Sequence, residues 1–166
     1  SARPHPKYPT VELRVTDVCP SVEDAAAIAA LARALVHAVI TGVLEDDALK
    51  HVTPIVEQEV LRVNEWRVAR DGLAARVIDF GLAAGNEPVV TSIRRLIDRV
   101  ARSAEALGDA ALLAHVDTIL QRGSAADRMR RHFGDAGTLR DVVSWLVQET
   151  LVGTGLDRRA AQRSGS

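Results

Sequence analysis

Thr10-Val11-Glu12-Leu13-Arg14-Val15-Thr16-Asp17 is an alternating segment near the beginning of the sequence that predicts a β-strand. Apolar and polar side chains alternate through it, which is the period of a half-buried strand. Glu12 and Arg14 therefore share one face, with Cα atoms roughly 6.5 Å apart at ~3.3 Å per residue. Such a pair can hold a metal ion and the phosphate that the metal neutralises. A solvated strand face with a cross-strand ion pair shows the same pattern, so both interpretations stay open here.

The composition limits the class of protein. The 166 residues carry a net charge of −1, with acidic and basic residues interspersed, which gives no sign of a polyanion-binding surface. The single cysteine, Cys19, excludes an internal disulfide and fits a reducing compartment such as the cytoplasm. The apolar run Ala25–Leu44 contains Arg33 and His37 near its middle. Because a central arginine costs about 2.5–3.5 kcal/mol on membrane insertion, we expect a buried helix of a soluble protein.

Capping and breaking residues divide the remainder into about six helices. The first begins after Ser21, with Asp24 in the position of a capping-box acid. It is apolar almost all round, so we expect other elements to surround it. The second begins at Thr53-Pro54 and runs to Gly72. The remaining expected segments are an irregular connection over Arg76–Pro88, helices over Val89–Leu107, Asp109–Gln121, Ser124–Phe133 and Thr138–Val152, and a flexible tail over Leu156–Ser166.

One strand among six helices cannot satisfy its own backbone N–H and C=O groups. Even an isolated hairpin is only marginally stable in water. We therefore predict that Thr10–Asp17 joins a sheet whose other strands lie outside this chain, and that the chain is a fragment or one subunit of a split protein. The predicted fold class is α+β, with a mostly helical chain contributing one strand to an antiparallel sheet.

Three ordered segments carry a family resemblance. The first runs from Arg3-Pro-His-Pro6 through the strand into the alanine-rich helix. The second is Asn64-Glu-Trp-Arg-Val-Ala-Arg-Asp-Gly-Leu73, and the third is Arg122-Gly-Ser-Ala-Ala-Asp-Arg128. All three resemble motifs of the glutamate–cysteine ligase type 2, or carboxylate–amine ligase, family. Glu65 and Asp71 depart from it, since the family usually has Arg and Tyr at these positions.

The resemblance implies a fold and a partner. Residues 1–155 would be the C-terminal half of a catalytic domain like that of glutamine synthetase, in which an antiparallel sheet cups the active site with helices behind. The N-terminal half, with its own acidic metal ligands and several strands, would be the required partner. The sequence has no Gly-x-x-x-x-Gly-Lys-(Ser/Thr) or Gly-x-Gly-x-x-Gly motif, so an ATP site would be of the open-sheet kind, shared with that half.

The resemblance also implies an activity. It indicates an ATP-dependent ligase that joins glutamate to cysteine through an acyl phosphate, giving γ-glutamylcysteine. Glu12 would be the ligand of Mg²⁺ (or Mn²⁺). Arg14 would be catalytic, because its planar fork matches the oxygens of the transferring phosphoryl group. The alternatives are the same chemistry on another acid and amine, or a non-catalytic helical interaction subunit.

Further residues are expected around this site. Asn64, Arg67 and Arg70 lie at i, i+3 and i+6, a slanting row on one helix flank. The resemblance favours binding of an amino-acid carboxylate or a nucleotide phosphate there, and the alternative is an ordinary polar flank. His5, in the proline-flanked segment before the strand, is expected at the rim of the site. Trp66 is expected in the core.

Two expectations concern internal packing and partners. Arg122, Asp127 and Arg128 are expected to close an internal ion-pair network at a helix start. Partners are expected to be amino-acid substrates, with no nucleic acid and no membrane. The apolar helices Ala25–Leu44 and Thr138–Val152 offer a face for a homo-oligomer.

Overall fold

The computed structural model describes residues 2–13, 19–44, 54–79 and 85–152. The predicted Arg14 and the tail from residue 153 lie outside these ranges. The described part is mostly helical with short antiparallel strands, which confirms the α+β composition. Its elements are β1 (Ala2–Pro4), β2 (Val11–Leu13), α1 (Val22–Ile40), α2 (Pro54–Asp71), a 3₁₀ turn (Gly72–Ala74), β3 (Arg76–Val77), β4 (Glu87–Pro88), α3 (Val89–Ala106), α4 (Ala110–Arg122), α5 (Ala125–Ala136) and α6 (Leu139–Leu151).

The main core lies where α1 packs against α3 and α4. Alanines recur along one stripe of α1, from Ala27 to Ala38, and are almost fully buried. Their small side chains let the neighbouring helices approach closely, with Val100 of α3 and Leu113 of α4 filling the space between them. The expectation that α1 is covered all round is wrong for the described residues. Ile40, at its C-terminal end, is 79% exposed.

Helix boundaries follow the capping residues, with two corrections. The Ser21 side chain caps α1 by accepting a hydrogen bond from the N–H of Asp24. The Asp24 carboxylate does not complete a capping box, because it binds basic side chains of later elements. Gly134 does not end α5, which continues to a left-handed glycine at Gly137. Gly137 has φ of +75°, a conformation that favours glycine at a helix C-terminus.

The strands form two small antiparallel ribbons. β1 pairs with β2 so that Arg3 stands opposite Glu12, and β3 pairs with β4. The prediction that the partners of β2 all lie elsewhere is therefore wrong, and Arg76–Pro88 is not wholly irregular. Within the described ranges each sheet has two strands. A two-stranded ribbon is marginal alone, so β2 still needs cover from other structure.

α2 lacks a buried face. Residues 55–71 include no buried side chain, and the helix contacts mainly the 3₁₀ turn and β3. Trp66 is 59% exposed, and the Arg70 guanidinium lies 4.2 Å from its ring centroid, so the prediction of a core tryptophan is wrong. Helices in proteins are stabilised mostly by packing of one face.

None of the described helices combines the length and apolar character that a membrane span requires.

A charged cluster secures β4 to α3. Arg95 binds both Glu87 and Asp79, and Ser92 donates its hydroxyl to Glu87. The Arg95 guanidinium and then the Ser92 hydroxyl lower the pKa of the Glu87 carboxyl from its ordinary 4.5. Glu87 itself is buried.

This geometry predicts a pH-dependent contribution to stability. Because the pKa of Glu87 is lower in the folded state, ionised Glu87 stabilises the fold above pH 4.5. That stabilisation is lost as the pH falls through the folded pKa. We expect Glu87→Gln to melt below the wild type at neutral pH, with a difference that shrinks towards about pH 3. Thermal unfolding across this range measures the effect, and a pH-independent difference would contradict it.

Candidate functional site

Glu12 occupies the middle of β2, on the face opposite the apolar side chains of that strand. Val11 and Leu13 line a groove above α1, and the alternation of a strand directs Glu12 to the other side. Glu12 is exposed, and Arg3 lies directly opposite it in the ribbon. The side chains of directly opposed residues are neighbours. This face of the ribbon thus carries a carboxylate opposite a basic residue.

The carboxylate of Glu12 has the chemistry of a ligand for a hard cation. Its carboxylate oxygens are the ligand type that Mg²⁺ prefers, and Mg²⁺ is commonly bound through one or two carboxylates plus substrate phosphates. Across residues 2–13, 19–44, 54–79 and 85–152, no group of three His, Cys, Asp or Glu side chains could hold a metal ion.

His5 organises the turn that joins β1 to β2. Its Nδ1 atom accepts hydrogen bonds from the backbone N–H groups of Lys7, at 3.1 Å, and Tyr8, at 3.2 Å. Its ring centroid lies 4.9 Å from that of Tyr8. Because Nδ1 accepts, a neutral His5 carries its proton on Nε2, which makes Nε2 a hydrogen-bond donor. His5 thus belongs to the same ribbon as Glu12.

Asn64 and Arg67 converge on the segment that follows the 3₁₀ turn. The Asn64 amide donates to the carbonyl of Ile78 at 2.9 Å and accepts from the N–H of Ile78 at 2.8 Å. Arg67 donates from Nη1 to the carbonyl of Arg76 at 3.2 Å. Both side chains therefore hold the backbone of residues 76–78 against α2.

Arg70, the third member of the predicted row, does not bind the backbone of residues 76–78 but an adjacent side chain. Its Nε and Nη2 atoms bind the two carboxylate oxygens of Asp71 at 2.7 and 2.6 Å. The hydrogen bonds from Arg70 lower the pKa of Asp71. Asp71 is one of the departures from the family pattern. Its carboxylate occupies the two N–H groups of the Arg70 guanidinium that a substrate carboxylate would otherwise use. A ligand at Arg70 would have to displace Asp71.

The bonds of Asn64 give a testable expectation. We expect Asn64→Ala to lower the free energy of unfolding by about 1–3 kcal/mol, because it leaves the polar backbone of Ile78 without its partners. Urea unfolding measures this loss. The exposed Asn86→Ala is the matched control and should change little. Unchanged stability in Asn64→Ala would leave ligand binding as its main role.

Asp24 lies at the centre of an ion-pair network that the sequence predicts only in part. Its buried carboxylate contacts Nε2 of His115 at 3.0 Å, Nη2 of Arg128 at 3.0 Å and the guanidinium of Arg122. The prediction of a network containing both arginines is confirmed. Asp127 is not its acid, because it caps α5 in a capping box.

The acid of this network could have been found from helix periodicity. Asp24 lies three residues before Ala27, on the buried stripe of α1. Arg128 also binds Glu149 of α6 and lies 5.6 Å from the ring centroid of Trp145. The network therefore joins the α5–α6 hairpin to α1 and α4.

These features define a class of protein: a mostly helical α+β chain with an exposed carboxylate on a short strand. The family model described as "Glutamate-cysteine ligase family 2" matches residues 1–145. The chain belongs to the glutamate–cysteine ligase family 2.

Curated relatives agree with this membership. "Putative glutamate--cysteine ligase 2" of Herpetosiphon aurantiacus is 30% identical over 168 residues, covering 99% of this chain and 41% of the relative. "Putative glutamate--cysteine ligase 2-2" of Frankia alni is 39% identical over 145 residues, covering 86% of this chain and 36% of the relative. The chain thus spans about two fifths of the length of these relatives.

Proposed function

We propose that this chain is the C-terminal part of an ATP-dependent carboxylate–amine ligase that, together with an N-terminal half, joins glutamate to cysteine. The observation that carries the proposal is the family match over residues 1–145. The exposed Glu12 on β2 supports it, because a carboxylate at the surface of a strand can contribute to a site formed with other strands. The β1–β2 ribbon would then be part of a larger glutamine synthetase-like antiparallel sheet completed by the N-terminal half.

The proposed reaction has two steps. An oxygen of the glutamate side-chain carboxylate attacks the γ-phosphorus of ATP, the bond to the bridging oxygen breaks, and ADP leaves. The amine of cysteine then attacks the resulting acyl phosphate, the carbon–oxygen bond breaks, phosphate leaves, and the nitrogen loses a proton. The product is an amide, γ-glutamylcysteine. Phosphoryl transfer of this kind depends mostly on positioning and neutralisation of charge.

The residues of this chain would supply part of that neutralisation. Glu12 would hold Mg²⁺ (or Mn²⁺), and the ion, when bound, neutralises charge on the phosphate oxygens. Arg14, two residues along the same predicted strand, would form paired hydrogen bonds to the transferring phosphoryl group. His5 would donate from Nε2 at the rim. Arg67 and Arg70, with Asn64 holding the adjacent backbone, would contact a substrate carboxylate or nucleotide phosphate.

Arg14 gives a prediction of its own. We expect Arg14→Lys to lose most of the turnover, because the point charge of lysine cannot reproduce the paired geometry of a guanidinium. Steady-state ADP release by the assembled protein measures this. Normal turnover with lysine would show that only a positive charge is needed there.

One observation favours a second candidate function. The exposed apolar surface of α2 is also typical of a helical interaction subunit without catalysis. Such a subunit would pair with another protein and would bind neither ATP nor metal. A homo-oligomer formed through the apolar helices is compatible with either candidate.

The test is ADP release by the assembly of this chain with the N-terminal half, supplied with Mg-ATP and glutamate, with and without cysteine. Cysteine-dependent ADP release would support the proposed substrates. ATP binding without cysteine-dependent release would indicate the same chemistry on another acid and amine. Absence of ATP binding would favour the interaction subunit.

A further inference from the structure

The Arg70 guanidinium contacts an aromatic ring and a carboxylate at the end of α2. Its central carbon lies 4.2 Å from the ring centroid of Trp66. Stacking of this kind uses the face of the guanidinium and leaves the N–H groups, which lie in its plane, for an acceptor. Nε and Nη2 donate to the two carboxylate oxygens of Asp71. Arg70 therefore makes the paired bond that it could make to an oxyanion of a ligand, and Asp71 supplies that oxyanion from within the chain.

The Asp71 carboxylate is not used to cap the turn that follows it. Asp71 precedes the 3₁₀ turn Gly72–Ala74, but its side chain makes no capping bond there. The bonds from Arg70 lower the pKa of Asp71 from its ordinary 3.8, so the carboxylate is ionised at neutral pH. The side chains of Arg70 and Asp71 are 56% and 34% exposed within the described part of the chain. An ion pair with this exposure is weak enough for a ligand to exchange with it.

We propose that Asp71 is a specificity-determining residue that competes with a ligand for Arg70. The ligand group is an oxyanion with two oxygens side by side, either the carboxylate of an amino acid or a phosphate. It binds Nε and Nη2 only when the Asp71 carboxylate leaves, and at Nη1 it meets a guanidinium whose charge is already paired. Asp71 therefore weakens binding of the oxyanion without taking part in the reaction. The inference rests on the proposed function only in assigning Arg70 to ligand binding.

The first test is the steady-state kinetics of Asp71→Asn in the assembled protein. The amide keeps the size of the side chain and removes its charge. We expect the KM of the ligand that Arg70 binds to fall by about two- to fivefold, the scale of an exposed ion pair. The kcat should be unchanged, because an interaction made equally in the ground state and the transition state changes KM alone. Varying glutamate, cysteine and Mg-ATP in turn identifies which of them carries the oxyanion.

Glu65→Gln is the matched control. Glu65 is an exposed glutamate on the same helix, so its replacement makes the same change in net charge. It should leave the KM values for glutamate, cysteine and Mg-ATP nearly unchanged. A fall of the same size in Glu65→Gln and Asp71→Asn would show a general effect of net charge and would overturn the competition.

Tryptophan fluorescence measures binding at Arg70 without turnover. Because the guanidinium is stacked on Trp66, a ligand that draws it away from Asp71 changes the surroundings of that ring. Trp145→Phe removes the signal of the other tryptophan of this chain. In this background we expect Asp71→Asn to bind glutamate or inorganic phosphate about two- to fivefold more tightly than the protein that keeps Asp71.

The outcomes separate this inference from the proposed activity. Unchanged KM values, together with unchanged or absent binding of glutamate and inorganic phosphate, would overturn the competition. Weaker binding in Asp71→Asn would also overturn it, because Asp71 would then hold Arg70 in place for the ligand. Tighter binding of glutamate or phosphate in a protein that releases no ADP would uphold the competition and refute the proposed function. Cysteine-dependent ADP release that Asp71→Asn does not alter would refute the competition alone.

Discussion

Glu12→Gln is expected to lower cysteine-dependent ADP release by about a hundredfold or more, the scale of losing one electrostatic stabiliser of a transition state. The amide keeps the size of the carboxylate but removes the negative charge that a hard cation requires. Glu12 is exposed on β2, so its replacement should leave the melting temperature nearly unchanged. Steady-state ADP release and thermal unfolding of the assembled protein measure the two expectations.

A matched control is available on another element. Glu105 is an exposed glutamate near the end of α3, and Glu105→Gln should retain wild-type turnover. A raised requirement for Mg²⁺ in Glu12→Gln would connect its defect to metal binding. Wild-type turnover in a correctly folded Glu12→Gln protein would remove Glu12 from the proposed site.

Asp24→Asn is expected to have the largest effect on stability, a loss of about 3–5 kcal/mol in the free energy of unfolding. The side chain of Asp24 is 6% exposed and binds Arg122, Arg128 and His115. Removing its charge takes one carboxylate from Arg122, whose side chain is 33% exposed, and leaves Arg128, which is 10% exposed, with Glu149 as its acidic partner. Denaturant unfolding measures the loss.

The location of the loss is also predictable. α5 and α6 pack mainly on each other, and the Asp24 network joins them to α1 and α4. Amide hydrogen exchange in Asp24→Asn should therefore rise first in α5 and α6. The control is Asp117→Asn, which breaks a half-exposed ion pair with Arg94 and should cost less than about 1 kcal/mol. Equal losses in the two variants would show that the buried network at Asp24 contributes no more to the free energy of unfolding than the exposed ion pair at Asp117.

The helices were predictable because their signals are local. Ser21, Ser124 and Thr138 each cap a helix at the expected residue, and Gly72 and Gly108 follow helices where expected. Capping depends on bonds between residues a few positions apart, so neighbouring sequence contains the needed information. The proposed site was indicated by the alternation around Glu12 together with the family motifs.

Contacts between distant residues were less predictable. Asp24 has the spacing of a capping acid, yet its carboxylate binds arginines about a hundred positions along the chain. Asn64 and Arg67 have the spacing of a ligand-binding row, yet they bond to the backbone of residues 76–78. Trp66 looked like a core residue, but no described element covers that face of α2.

Local patterns in the sequence were enough to predict the α+β class, the helix starts, the strand character around Glu12 and the family to which the chain belongs. These depend on periodicity, on caps and on motifs that are contiguous in the chain. The charges that meet at Asp24, the backbone that Asn64 binds and the face of α1 that borders a groove became known only from the folded arrangement of the helices and strands. A buried ion pair or a groove forms only when burial of apolar surface brings several helices and strands together. The spacing of residues within one segment does not specify that arrangement.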